Sequence, residues 1–557
     1  MKNRLTTVLI LSLLFLVLST SCEKVFLEEE TTSFINPDQL LVNEEGAEIY
    51  LVGAYDAMRV LATGYDGWLS MWGTLGADEI VVPNWGADAK QIYLQSLSPS
   101  NSTIRNIWEG LYISVNKINS VIDRLSAMTD DQINDLKKNQ LIGEAKFLRS
   151  ALYFAIVTSW ENIPLVASET TSLDNLLVSQ DNNGDGSIDN ADTKMVYDLI
   201  IEDLIFSESV LEMGQGEGRA TKGAAQALLG KVYLQMTGFP LFEMDKFELA
   251  ELKLQEVMDS GIYQLEPLYP DVFSIDNEQN NEMVFAIGFD GPGLNQGGKL
   301  GTFYGPQGAT ENGGQAGNNW FINWELAGDS QSNANGGSGT WGARNNYAFA
   351  QGYQENDIRC RNNIAKHRVN EPQQWTAEDG MYNPTARKTE IAWRRPTWKP
   401  WKWHNIRPSN WGTDTPFDQP YIRYADVLLM YAEAKNGQGM LSQADIDNTV
   451  NLIRSRARQF PDGVVMQDTI AADMVFADPE TNANEILSER RKELCLEGWR
   501  RNDLVRFGKY QQGIRVTQPS WSNSGNPQDQ FSDFEIRWPI PTSELLINPN
   551  LVQNPGY

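Results

Sequence analysis

The chain has 557 residues, 41% of them apolar and 21% charged, enough to bury a large core. Its 73 acidic side chains outnumber 45 basic ones, for a net charge of −28. A surface of that sign weighs against nucleic acid and anionic membrane as partners, and three cysteines do not make a disulfide framework.

Residues 1–21 read as a targeting segment. Lys2 and Arg4 make a basic start and Val8–Leu18 a short apolar run, and in Leu18-Ser19-Thr20-Ser21-Cys22 small residues stand directly before a cysteine. The run is shorter than the about 20 apolar residues a spanning helix requires. Cys22 is therefore read as a lipid-bearing first residue that anchors the mature chain without spanning the bilayer. The alternative is an ordinary signal peptide with an incidental cysteine. An acidic tether follows, with Glu23, Lys24 and Glu28-Glu29-Glu30.

Apolar residues then recur at helical spacing over Glu44–Leu61, Ile104–Leu125, Asp131–Ser159, Met195–Leu211, Ala220–Met236 and Asp245–Ser260. Short joins between them predict paired helices, and Trp108 and Tyr112 face a core. Leu229-Gly230-Lys231-Val232-Tyr233 carries a tetratricopeptide fragment, in which the glycine admits a neighbouring helix. A fourth pair is expected over Tyr421–Lys435 and Gln443–Arg458. Cys495, between Leu494 and Leu496 on a helical stretch, reads as a buried thiol.

Before the fourth predicted helix stands Asp181-Asn182-Asn183-Gly184-Asp185-Gly186-Ser187-Ile188-Asp189-Asn190-Ala191-Asp192. Asp181, Asn183, Asp185, Asp189 and Asp192 fall where an EF-hand loop places side-chain ligands for calcium, and Ser187 falls where it supplies a backbone carbonyl. Gly186 takes the sharp turn and Ile188 the apolar anchor. Asp192 replaces the usual glutamate and reaches less far, and no clear helix precedes the loop. A structural Ca2+ is expected, with an acidic solvated turn as the alternative.

Helical periodicity fails between about Gly291 and Asn346, where Gly, Asn, Ser and Gln interleave with Tyr304, Trp320, Trp324 and Trp341. Trp68, Trp72 and Trp85 sit in a shorter irregular segment, and Trp393–Trp411 alternates Trp with Arg, Lys and Pro. A sugar offers an apolar C–H face and a rim of hydroxyls, so rings on loops, trimmed by amides, suit it. Trp72, Trp85, Tyr304, Trp320, Trp324 and Trp341 are the candidate ligand-binding residues, and most of the other rings are expected in the core. Nothing supports catalysis. His367 and His404 stand outside any nucleophile or metal motif, and with 73 acidic residues a suitably spaced carboxylate pair discriminates nothing.

Four ordered motifs complete the chain: Gly218-Arg219-Ala220-Thr221-Lys222-Gly223; Ile422-Arg423-Tyr424-Ala425-Asp426 running on to Glu433; Ser488-Glu489-Arg490-Arg491-Lys492-Glu493 running on through Glu497-Gly498-Trp499-Arg500 to Arg506; and Trp538-Pro539-Ile540-Pro541 with Asn554-Pro555-Gly556-Tyr557. Their charged residues read as scaffold, pairing across packed helices. Together they resemble the SusD/RagB family of bacterial surface lipoproteins, from Cys22 to Tyr557. The resemblance implies a mostly α fold, a right-handed superhelix of four tetratricopeptide-like helix pairs with a loop-rich ligand-facing part. It implies one unit over 22–557, divided into a helical part (22–270), a loop-rich insertion region (271–420) and a C-terminal part (421–557). The acidic tether resembles the export tag of surface lipoproteins. By this resemblance the chain is a non-enzymatic glycan-binding protein at the outer-membrane surface, partnered by a SusC-like TonB-dependent transporter against which the repeats pack. Peptide capture, as in the RagB branch, is the runner-up reading; a lipoprotein glycosidase and a purely structural surface protein are remoter ones.

Overall fold

A computed structural model describes residues 37–62, 67–81, 87–172, 177–290, 357–366, 415–460, 472–512 and 532–557, with short pieces at 296–298, 300, 321–322, 398–400 and 402–403. Helices α1 (Glu44–Met58), α2 (Ser102–Ala127), α3 (Asp135–Trp160), α4 (Asn190–Val210), α5 (Lys222–Met236) and α6 (Lys246–Asp259) follow the apolar periodicity closely. Several starts are set by a polar cap: Asn43, Asn101, Asn134, Asp189 and Thr221 each accept a first-turn backbone amide. On α2, Ile104, Ile107, Trp108, Leu111, Val115, Ile118 and Leu125 bury one stripe. The second half of α3 and nearly all of α5 are buried on every side, so these two helices form the interior of the layer.

Each helix packs on the next, α2 on α3 and so on through α6, which packs on α7 (Tyr424–Gly437). The architecture is mostly helical and tetratricopeptide-like. Gly230 does what its motif predicts: a Cβ there would lie 2.6 Å from Leu254 Cγ on α6, so only glycine permits this approach. The expected fourth pair is modified at both ends. Its second member is split into α8 (Gln443–Asp447) and α9 (Val450–Ala457), and Tyr421–Arg423 is extended instead of helical. Those three residues end a strand whose pairing with a distant segment outweighs their helical spacing.

The strands are β1 (Ile80–Val81), β2 (Met283–Ile287), β3 (Phe321–Ile322), β4 (Ile364–Lys366), β5 (Trp398–Pro400) and β6 (Gln419–Arg423). They form three antiparallel ladders: β1–β3 with Val81 opposite Phe321, β2–β6 with Met283 opposite Arg423, and β4–β5 with Ala365 opposite Lys399. The chain ends in α10 (Pro479–Glu493), α11 (Arg500–Arg506) and α12 (Thr542–Ile547).

One apolar core runs from Leu41 to Ile540. A relay of edge-on indoles crosses it: Trp72 to Trp538 at 5.1 Å, Trp538 to Trp160 at 5.3 Å, Trp160 to Trp108 at 5.1 Å. The closing motifs stitch the C-terminus to the end of α3. The Trp538 amide donates to the Ser159 carbonyl, Trp160 Nε1 to the Pro539 carbonyl, and Asn554 Nδ2 to the carbonyls of Trp160 and Trp538.

Candidate functional site

A second core, made of charge, surrounds the end of β6 and the C-terminal half of α10. Arg423 is fully buried between Glu282 (2.6 Å), Glu493 (2.7 Å) and Glu497 (2.9 Å). Arg456 joins the same Glu282 and Glu493, and Arg454 joins Glu489 at 2.9 Å. Burial works against the charged form of Glu493, but Arg456, Arg423 and Arg359 outweigh it and hold the carboxyl far below the ordinary range. In the same way Arg359 and Arg454 overcome burial and hold Glu489 at about 2. Nearby, Arg490 bridges Asp426 (2.9 Å) and Asp503 (2.8 Å), and Arg506 pairs with Glu433. The motif charges thus pair across α7, α10 and α11, as their spacing predicts.

The segment from Glu489 to Arg500 also reaches the stems of the irregular region. Asp78, just before β1, meets Arg500 at 2.7 Å, and the Leu496 amide donates to the Glu79 carboxylate at 3.3 Å. Burial and the adjacent Asp78 push the Glu79 carboxyl up to about 8. Arg359, upstream of β4, contacts Asp357 (2.7 Å), Glu489 (2.6 Å) and Glu493 (3.1 Å). Lys402, two residues past β5, donates to Glu497 Oε1 at 2.5 Å and to the Cys495 carbonyl at 2.8 Å.

The β1–β3 and β4–β5 ribbons adjoin, with β3 against β5. Strands from distant parts of the chain therefore lie side by side. Trp85 follows β1 by four residues, Trp320 directly precedes β3, Trp324 follows it by two, and Trp401 directly follows β5. These two ribbons are the described part of the candidate ligand face.

Trp72 requires a correction. Its side chain is only 1% exposed. Trp538 packs on it, the Arg501 guanidinium lies 3.9 Å from its ring centre, and its Nε1 donates to Asn502 Oδ1 at 2.7 Å. It is a core ring, because Leu69–Leu75 is a wholly buried π-helical turn instead of a loop. Trp68 is likewise buried. Cys22, Trp85, Tyr304, Trp320, Trp324 and Trp341 lie outside the described residues. Trp403, in the second irregular stretch, is buried, as is the Cys495 thiol. Sequence reasoning missed Arg359, Lys402 and the pair Asp78–Glu79. They stand in segments without periodicity, and only their distant partners distinguish them from solvated charges.

In the 181–192 loop, Asp181 accepts the amides of Gly184, Asp185 and Gly186, and Gly186 takes a φ of +91° at the turn. Asp185 Oδ1 accepts the Ser187 amide, and Asn183 Oδ1 the Asp185 amide. The C-terminal positions are spent differently. Asp189 caps α4, and Asp192 is buried, accepting the amides of Asn182, Asn183 and Asp189. Among the described residues no three His, Cys, Asp or Glu side chains gather as a metal-binding group.

Residues 281–557 match the SusD family, and residues 53–234 match the family described as starch-binding associating with outer membrane. The chain belongs to the SusD family. A relative, SusD-like protein P38 of Formosa agariphila, is 26% identical over 98% of this chain and 99% of its own length. A SusD homologue of known structure from Bacteroides thetaiotaomicron superposes with a TM-score of 0.73 at 23% identity, over 95% of this chain and 100% of that one. A laminarin-binding SusD-like protein does so with a TM-score of 0.66 at 22% identity, over 92% and 100%. These likenesses establish the SusD fold. The second matching family is described as starch-binding and associated with the outer membrane, and a relative is the starch-binding protein SusD of Bacteroides thetaiotaomicron. The SusD-like family are binding proteins, and no helix among the described residues is long and apolar enough to cross a membrane.

Proposed function

We propose that this chain is a surface-exposed lipoprotein, anchored through Cys22, that captures an oligosaccharide and delivers it to a SusC-like TonB-dependent transporter. The observation that carries this reading is that three strands with tryptophans next to them in sequence, β1, β3 and β5, meet in two adjoining ribbons tied to the buried ionic core. Capture requires stacking platforms and hydrogen-bonding groups held by a stiff support, not an acid–base pair. The family's glycan-binding character and the laminarin binder among its structural neighbours point the same way. The test is binding of the purified soluble part to a panel of polysaccharides, laminarin and starch included, and of peptides. Saturable binding to a polysaccharide is expected; binding to peptides alone would replace this reading with peptide capture.

We also propose a structural calcium ion in the 181–192 loop. Asp181, Asn183, Asp185 and the Ser187 carbonyl would supply most of its oxygens. Asp189 and Asp192 fit less well, since their carboxylates already serve as cap and clasp. A bound ion stabilises by mass action, so chelation should lower the melting temperature. An unchanged melt together with no calcium by elemental analysis would sink the assignment.

A further inference from the structure

The β4–β5 ribbon has little of its own to hold it in place, with three residues on each strand. A ladder of that size is marginal without outside support. Besides the packing of β5 on β3, two buried cations flank it. Arg359 and Lys402 are both 0% exposed. Both end on one rail of carboxylates, Glu489, Glu493 and Glu497, spaced four apart along the signature segment. Lys402 Nζ also stands 4.4 Å from the centre of the Phe273 ring.

Burying such cations is a poor way to gain stability, because well-packed apolar side chains of similar volume often serve as well or better. What a buried ion pair adds is direction: a guanidinium or ammonium must meet its carboxylate at one place and one angle. We infer that Arg359 and Lys402 are positioning residues that latch the β4–β5 ribbon to the signature segment and so set the ligand face. The binding consequence rests on the glycan reading above; the latch itself does not.

Lys402 is the residue to test. Its partner Glu497 retains Arg423, which contacts both of its carboxylate oxygens, at 3.0 and 2.9 Å. Lys402→Met therefore releases the ribbon without leaving a buried carboxylate alone. In the full mature chain, Lys402→Met should speed amide exchange of Ile364–Lys366 and Trp398–Pro400 about tenfold or more, with α2 and α3 unchanged. It should also weaken binding of the polysaccharide that wild type takes from the panel by about tenfold, with laminarin as first probe. Lys402→Arg, which keeps the cation, should restore both. Unchanged exchange in the ribbon overturns the latch. Faster exchange with unaltered affinity overturns the positioning role. Wild type that binds no polysaccharide refutes the glycan reading alone, and the exchange measurement still decides the latch.

Discussion

Helices α3 and α10 are both buried, yet with opposite chemistry. From Phe147 to Trp160, α3 presents mainly apolar side chains such as Leu148, Phe154 and Ile156, with Arg149, paired to Asp203, the single buried cation. From Glu489 to Glu493, α10 buries an unbroken run of charged side chains. Apolar contact is non-directional and scales with area, so the helical layer is held firmly but its neighbours can adjust by small slides. Ion pairs are specific in partner and angle, and the C-terminal half of α10 is built on them. It receives short segments from distant parts of the chain and gives each one position. The layer supplies bulk stability, and the ionic core supplies placement of the ribbons above it.

The largest effect that probes this contrast is at Glu493. Glu493→Ala leaves Arg359, Arg423 and Arg456 without their shared carboxylate, and a loss of about 3–5 kcal/mol in a denaturant melt is expected. A loss under about 1 kcal/mol, the value of an exposed pair, would show that the buried charges are not the anchor. Trp72→Ala should cost a similar about 3–5 kcal/mol, as for any core ring. A variant of wild-type stability that bound glycan weakly would return Trp72 to the ligand face.

The ionic core also carries a pH dependence. Glu79 titrates at about 8 in the folded chain against an ordinary 4.5. Between those values the folded chain holds a proton that the unfolded chain releases, so this contribution is complete below about pH 4.5 and is lost as pH rises to about 8. Glu161 at about 7 and Glu278 at about 8 act in the same direction. The wild-type melting temperature should therefore fall from about pH 5 to about pH 9, and Glu79→Gln should make the fall shallower. Parallel profiles would mean that Glu79 is already ionised at neutral pH. The smallest change expected is Gly230→Ala, whose Cβ meets Leu254 at 2.6 Å. An apolar interface that can slide should limit the loss to about 1–3 kcal/mol; a loss as large as that of Glu493→Ala would erase the difference between the two cores.

The sequence by itself determined the parts whose information is local. Helices α1 to α6 were legible because a 3.6-residue repeat is written in consecutive residues, and their caps stand at their own boundaries. Gly230 was legible because its neighbours carry a repeat motif, and family membership because several motifs stand in fixed order. The tertiary structure alone decided the rest. Trp72 looked like a loop ring until its partners, Trp538 and Asn502, arrived from more than 400 positions away. Strands of two or three residues have no period to detect, and Tyr421–Arg423 became strand because β2 lay beside it. Arg359 and Lys402 are indistinguishable in sequence from solvated charges. Only folding brings the carboxylates of Glu489, Glu493 and Glu497 to them, and a buried charge is defined by its partner, which no local window of sequence contains.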